Sequence, residues 1–218
     1  MENPQLAIEQ VLEAERNQRI LAVSQLPKVP LEEKHIANCQ LVLDRKTLIQ
    51  RIGKKEIVAE LGVERGEFSK EILDATNPSE LHLVDLWGCN RYHNGLFDEV
   101  KEKFAVELES EVVQIHRKYS TDAASDFEDG YFDLIYIDTD HSYRTTRAEL
   151  LAYLPKMKPN GIIAGHDYTM GNWVKSYHYG VIQAVHEFCV EQDWELIFLT
   201  AEHLENQSFA IRRIANES

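Results

Sequence analysis

The chain has 218 residues, 44% of them hydrophobic and 28% charged, which is enough for one large domain with a substantial core. Its net charge of -14 disfavours nucleic acid or an anionic membrane as a partner. Cys39, Cys89 and Cys189 share no close spacing, which excludes a disulfide framework or zinc ribbon, and no apolar run reaches the roughly 20 residues that span a bilayer.

Glu2, Glu9, Glu13, Glu15, Arg16 and Arg19 do not fit a secretory leader, so a cytoplasmic location is expected. Leu6, Val11, Leu12, Ile20 and Leu21 predict an amphipathic helix from residue 4 to about 24, ahead of Pro27 and Pro30. Residues 1–40 therefore read as a helical extension serving as a cap, a lid or a dimer contact, and residues 41–218 as the main domain.

From about residue 44 helices and strands alternate. The pattern predicts a helix near Asp44 to Arg51, a strand at Glu56 to Leu61 and a helix from Gly66 to about Ala75. A strand at Leu81 to Asp85, a polar loop with Gly88, Asn90, Asn94 and Gly95, and a helix over Leu96 to Leu108 follow. Next come strands at about Val112 to His116 and Phe132 to Ile137, a helix from Tyr143 to Leu154, and a strand at Gly161 to Ala164. A helix from Val181 to Glu191 precedes two last strands, Glu195 to Leu199 and Ser208 to Arg212, with no helical crossover between them. The fold class is α/β: a doubly wound, Rossmann-like sheet of about seven strands, mostly parallel, closed by an antiparallel C-terminal hairpin.

In such sheets the ligand crevice lies at the carboxyl ends of the strands. Glu60, Gly62, Glu64 and Gly66 occupy the turn after the first βα strand, where glycine allows a close backbone approach. A dinucleotide fingerprint needs glycine where Glu64 stands, and acids there oppose a pyrophosphate. A ligand with a sulfonium and an ammonium, S-adenosylmethionine, suits this loop better. Asp85, ending the next strand, is placed to accept hydrogen bonds from ribose hydroxyls. Ser120 is placed to reach an adenine edge or to cap a helix ahead of Asp122.

Asp138 and Asp167 end two neighbouring strands, and two converging carboxylates suit a hard cation such as Mg²⁺. His141, three residues past Asp138, is a candidate general base near neutral pH. The loop after Asp167 carries Tyr168, Trp173, Tyr177, His178 and Tyr179, an aromatic set suited either to stacking on an acceptor or to packing the loop.

Val58-Ala59-Glu60-Leu61-Gly62-Val63-Glu64-Arg65-Gly66-Glu67-Phe68-Ser69, His82-Leu83-Val84-Asp85-Leu86-Trp87, Ile137-Asp138-Thr139-Asp140-His141-Ser142-Tyr143 and Gly165-His166-Asp167-Tyr168 together resemble class I S-adenosylmethionine-dependent methyltransferases. Within that class they look most like small O-methyltransferases related to macrolide-sugar methyltransferases and, more distantly, to catechol O-methyltransferase. The resemblance covers about residues 41 to 214. It implies cofactor contacts from Glu60, Gly62, Gly66, Ser69, Asp85, Ser120 and Asp138, and catalysis by His141 with Asp138 and Asp167. It further implies metal ligation by Asp138, His166 and Asp167, and an acceptor pocket with Tyr143, Tyr168 and Trp173. Relatives of the macrolide-sugar type carry an acid where this chain has His166, so the implied metal is Mg²⁺, a softer ion such as Mn²⁺, or none.

The expected activity is methyl transfer to a hydroxyl of a small sugar, phenolic or natural-product acceptor, without nucleic acid or membrane, by a chain that forms a homodimer by analogy with this architecture. The alternatives are a non-catalytic S-adenosylmethionine-binding or assembly protein, an N-methyltransferase, and a nicotinamide-dependent oxidoreductase.

Overall fold

The structure is a computed structural model that describes residues 4–88, 94–172, 174 and 177–215. In chain order the elements are α1 (Pro4–Ser24), β1 (Gln40–Val42), α2 (Arg45–Ile52), β2 (Ile57–Leu61), α3 (Glu67–Thr76) and β3 (Glu80–Asp85). They continue with α4 (Asn94–Lys103), α5 (Ala105–Glu109), β4 (Val113–Arg117), α6 (Ser120–Ala123), β5 (Phe132–Ile137), α7 (Tyr143–Tyr153) and β6 (Met157–Gly165). The chain ends with β7 (Gly171–Asn172), β8 (Tyr177–His178), α8 (Val181–Gln192), β9 (Trp194–Thr200) and β10 (Phe209–Arg213).

Eight strands form one sheet in the order β1-β9-β10-β6-β5-β2-β3-β4. All pairs are parallel except those of β10, which runs antiparallel to both β9 and β6. The expected α/β class, parallel majority and antiparallel C-terminal pair are all present. The eighth strand is β1, a three-residue edge piece that pairs with β9. The order reverses between β2 and β5, where the first βα crossover and the later ones leave on opposite sides. That reversal is where open α/β sheets form their crevice.

Strand alternation sends side chains into two cores. Ala59, Leu61, Ile135, Ile137 and Ile163 pack toward α7 and α8, together with Phe188 and Trp194. Val58, Leu83, Leu134, Tyr136 and Ala164 pack toward α2, α3 and α4. Each fully buried aliphatic side chain contributes about 1.5–3 kcal/mol, so the two faces hold the central strands rigidly. α7 and α8 are also tied by Arg147, whose Nε lies 2.7 Å from Glu187 and whose Nη2 lies 2.7 Å from Glu191. Asp44 caps α2 by accepting from the Thr47 amide at 2.7 Å, and Ser142 caps α7 through the Thr145 amide at 3.2 Å.

α1 forms as the periodicity predicts, but Ile8, Val11, Leu12, Ile20 and Leu21 all stay more than half exposed. No helix among the described residues is long and apolar enough to cross a membrane. The single helix expected over Leu96 to Leu108 breaks at Phe104, whose fully buried ring plugs the core beside Gly66. Cys89 and Asn90 of the polar loop lie outside the described residues.

Candidate active site

The loops that leave β2, β3, β4, β5 and β6 open onto one cleft of about 860 Å³. Gly62 and Asp138 form its floor. Gly62 has φ +87°, and a Cβ placed on it would lie 2.0 Å from the Asp138 carbonyl oxygen. Only glycine allows the turn after β2 to sit against the turn after β5 in this way. The Asp138 amide donates to the Leu61 carbonyl at 2.8 Å, and the Gly62 amide donates to Val84 at 2.9 Å. These bonds weld three strand ends together.

Glu60 lines the cleft from inside the protein, and burial pushes its carboxyl up to about 8 against the opposing hydrogen bond from Ser69. Ser69 is fully buried, and its hydroxyl donates to Glu60 instead of lining the cleft. Asp85 lines the opening, but much of its capacity is already used. Its Oδ2 accepts from the Val63 and Glu64 amides at 2.9 and 3.0 Å, and its Oδ1 accepts from the Trp87 amide at 3.0 Å. Oδ1 keeps a lone pair, so Asp85 is first the clamp of the glycine loop and only then a ligand contact. Ser120 also lines the cleft and is the first residue of α6 rather than its cap, the preceding Tyr119 making no side-chain capping bond. The Ser120 hydroxyl donates to Glu149 at 2.5 Å, and Thr139 donates to the same carboxyl at 3.0 Å.

On the opposite side, Asp138, His141 and Asp167 bring one potential ligand atom each to within 4.8 Å of the others. His141 Nδ1 lies 2.7 Å from Asp167 Oδ2 and 4.0 Å from Asp138 Oδ1. His166 stands beside this trio, its Nδ1 3.6 Å from Asp167 and 3.8 Å from Asp138. His141 thus takes the position in the tight trio expected of His166. Burial alone would raise Asp167, but hydrogen bonds and charge from His141 and His166 hold it well below the usual carboxylate range. Asp138 is raised, by burial first and then by Asp167, with the two histidines and Arg45 opposing. Burial would lower His166, yet Asp167 and Asp138 raise it above an ordinary histidine.

The expected acceptor residues divide. Tyr143 turns toward α8 and donates to Glu187 at 2.5 Å, and Tyr168 pairs with His186 Nε2 at 2.6 Å, so neither lines the cleft. Trp173 lies outside the described residues. The aromatic wall comes instead from Tyr177 and Tyr179 on and after β8, with Asn172 from β7. Tyr179 is buried, and its ring centre lies 4.8 Å from that of His141. Arg45, Glu205 and Asn206 were not expected from the sequence. Asn206 donates to Asp167, while Arg45 Nε lies 3.0 Å from Glu205 and Arg45 Nη1 3.6 Å from Asp138. No local pattern marks them, because α2 and the β9–β10 turn reach the site only through the order of the sheet.

Comparison with known proteins agrees with this geometry. A family model described as a methyltransferase domain matches residues 59–168, from the glycine loop to the turn after β6. The uncharacterized protein y4gI of Sinorhizobium fredii is 25% identical over 142 residues, covering 62% of this chain and 15% of that protein. This chain therefore spans a small part of that relative's length. The N-methyltransferase NodS from Bradyrhizobium japonicum, solved with S-adenosyl-l-homocysteine, superposes with a TM-score of 0.57 at 12% identity, covering 78% of this chain and 86% of NodS. The B. subtilis M1A22 tRNA methyltransferase TrmK superposes with a TM-score of 0.55 at 12% identity, covering 79% of this chain and 66% of that one. These two likenesses show a shared fold. With half its length matched by the family model, the chain belongs to the methyltransferase-domain family.

Proposed function

We propose that this chain transfers the methyl group of S-adenosylmethionine to a hydroxyl of a small molecule, with His141 as the general base. The observation that carries the reading is the 2.7 Å contact between His141 Nδ1 and Asp167, in the same cleft as Glu60, Gly62 and Asp85. An Nδ1–H donated to Asp167 fixes the tautomer and leaves Nε2 as the basic nitrogen. The acceptor oxygen attacks the methyl carbon in line with the departing sulfur while its proton passes to His141 Nε2. Holding both reactants in one cleft contributes about 7–11 kcal/mol toward the barrier when their geometry is right.

Glu60, Gly62, Asp85, Ser120 and Asp138 are the residues this reading assigns to S-adenosylmethionine, whereas Gly66 packs against Phe104 and does not line the cleft. Protonated Glu60 places no full charge behind the loop, whereas the carboxylates of Asp85 and Asp138 suit a cationic ligand. Asp138 and Asp167 are the carboxylates that would hold a divalent cation such as Mg²⁺ or Mn²⁺, but His141 Nδ1 is already engaged by Asp167 and Arg45 lies against Asp138. Bound there, such an ion would lower the pKa of the acceptor hydroxyl. Tyr177 and Tyr179 supply flat surfaces for a sugar or phenolic ring. The net charge of -14 favours a small acceptor over the tRNA on which the B. subtilis neighbour acts.

Calorimetric titration with S-adenosylmethionine and S-adenosylhomocysteine should give micromolar binding of both. Tritiated S-adenosylmethionine with a panel of hydroxyl compounds should then label at least one acceptor, and His141→Ala should abolish that labelling while keeping cofactor binding. Absence of cofactor binding removes the reading. Labelling of amines alone would replace O-methylation by N-methylation.

A further inference from the structure

Arg45 is the one arginine or lysine among the described residues that pairs with Asp138. It is the first residue of α2, held in place from several directions. Its backbone amide donates to Glu202 at 2.7 Å, its Nε lies 3.0 Å from Glu205, and its guanidinium stacks 4.5 Å above the Phe68 ring. The side chain is only one-quarter exposed and lines the cleft. A guanidinium keeps its charge at any working pH, so a permanent cation sits 3.6 Å from an Asp138 carboxylate oxygen.

We propose that Arg45 is the resident cation of the acceptor site and competes with a divalent ion for Asp138. This rests on the reading above for the location of the acceptor site. A divalent ion on Asp138 needs that carboxylate's lone pairs and lies within a few ångströms of the guanidinium, so the two positive charges repel each other at short range. With Arg45 in place the site already holds the positive charge that an ion would bring to the acceptor oxygen. His166, 3.8 Å from Asp138 and 3.6 Å from Asp167, acts in the same direction, because an imidazole adds no negative charge to attract a hard cation. Arg45 is accordingly a positioning residue: it holds Asp138 and Glu205, and it sets the affinity of the site for metal.

The test is calorimetric titration of Mn²⁺ and Mg²⁺ into the full chain, alone and with S-adenosylhomocysteine bound. The wild-type protein should bind either ion only in the millimolar range or more weakly. Arg45→Met should bind Mn²⁺ about tenfold or more tightly than wild type, and adding Asp138→Asn to that variant should abolish the gain. Arg45→Lys, which keeps the charge, should stay near wild type, and Arg45→Gln should follow Arg45→Met. Equal affinity in wild type and Arg45→Met overturns the proposal, as does a gain that survives Asp138→Asn. Micromolar Mn²⁺ binding by wild type that Asp138→Asn removes overturns it without any Arg45 variant. Loss of S-adenosylhomocysteine binding by the wild-type protein would instead count against the methyltransferase reading, so the two failures are distinct.

Discussion

His141 and Asp167 meet at 2.7 Å although they lie on loops after different strands, and both adopt left-handed backbone, with φ +62° and +57°. A left-handed conformation is uncommon for residues other than glycine and costs on the order of 1–3 kcal/mol each. Two such residues joined by one hydrogen bond show that the surrounding packing fixes the geometry of this pair. The loop after β5 bends to aim the imidazole, and the loop after β6 bends to aim the carboxylate. Asn206 holds the other oxygen of Asp167.

From this pairing, Asp167→Asn should lower turnover by roughly 10²- to 10⁴-fold, because an amide side chain no longer fixes the Nδ1–H tautomer of His141. S-adenosylmethionine affinity should change little, since Asp167 is not among the residues assigned to the cofactor. Steady-state kinetics beside calorimetry on the same preparation separates the two effects. Wild-type turnover in the variant would remove the dyad.

At Gly62 the expectation is structural. A methyl group would stand 2.0 Å from the Asp138 carbonyl oxygen, and φ +87° is strained for any other residue. Gly62→Ala should therefore separate the β2 and β5 turns, abolish cofactor binding and destabilise the protein by roughly 2 kcal/mol or more. Urea denaturation with a cofactor titration checks this. A variant as stable as wild type that still binds cofactor would mean that the two turns can part at little cost.

Tyr177 has a different role, since it is half exposed and its ring lies edge-on to Tyr179 at 5.7 Å. Tyr177→Ala should raise KM for the acceptor by about tenfold, the loss of one aromatic contact, and leave kcat nearly unchanged. A fall in kcat at constant KM would place Tyr177 in the chemistry rather than in acceptor binding.

The sequence was most legible where packing is local to a strand and its helix. Val58 to Leu61 and Leu134 to Ile137 are buried on both faces, so their apolar runs read directly as central strands. β1 could not be read this way, because Leu41 at its centre is 72% exposed and the strand has only three residues. The β7–β8 hairpin has two-residue strands, too short for any periodicity. Asp138, His141 and Asp167 could be placed together because strand ends fix where they emerge. Tyr143 and Tyr168 emerge nearby but turn to half-buried partners, Glu187 and His186, on α8. Sequence position fixes where a side chain starts, whereas the neighbouring helix decides where it points. Asn206 reaches the site because β10 pairs with β6, and Arg45 because β1 pairs with β9, so only the strand order could reveal them.

Glu149 offers a test of stability independent of turnover. It is fully buried under Ser120 and Thr139, and burial pushes its carboxyl up to about 7 against the two hydroxyl donors. The ordinary value is 4.5, so between 4.5 and about 7 the folded protein holds a proton that the unfolded chain has lost. The resulting stabilisation is fully present below pH 4.5 and disappears as pH rises through 7, a change on the order of ~3 kcal/mol. Glu149→Gln stays neutral at every pH and can still accept from one hydroxyl and donate to the other. Its stability relative to wild type should therefore increase from pH 5 to pH 8, measured by urea unfolding at both. A difference that does not vary with pH would show that Glu149 is ionised in the native protein, and that Ser120 and Thr139 hold a carboxylate instead of an acid.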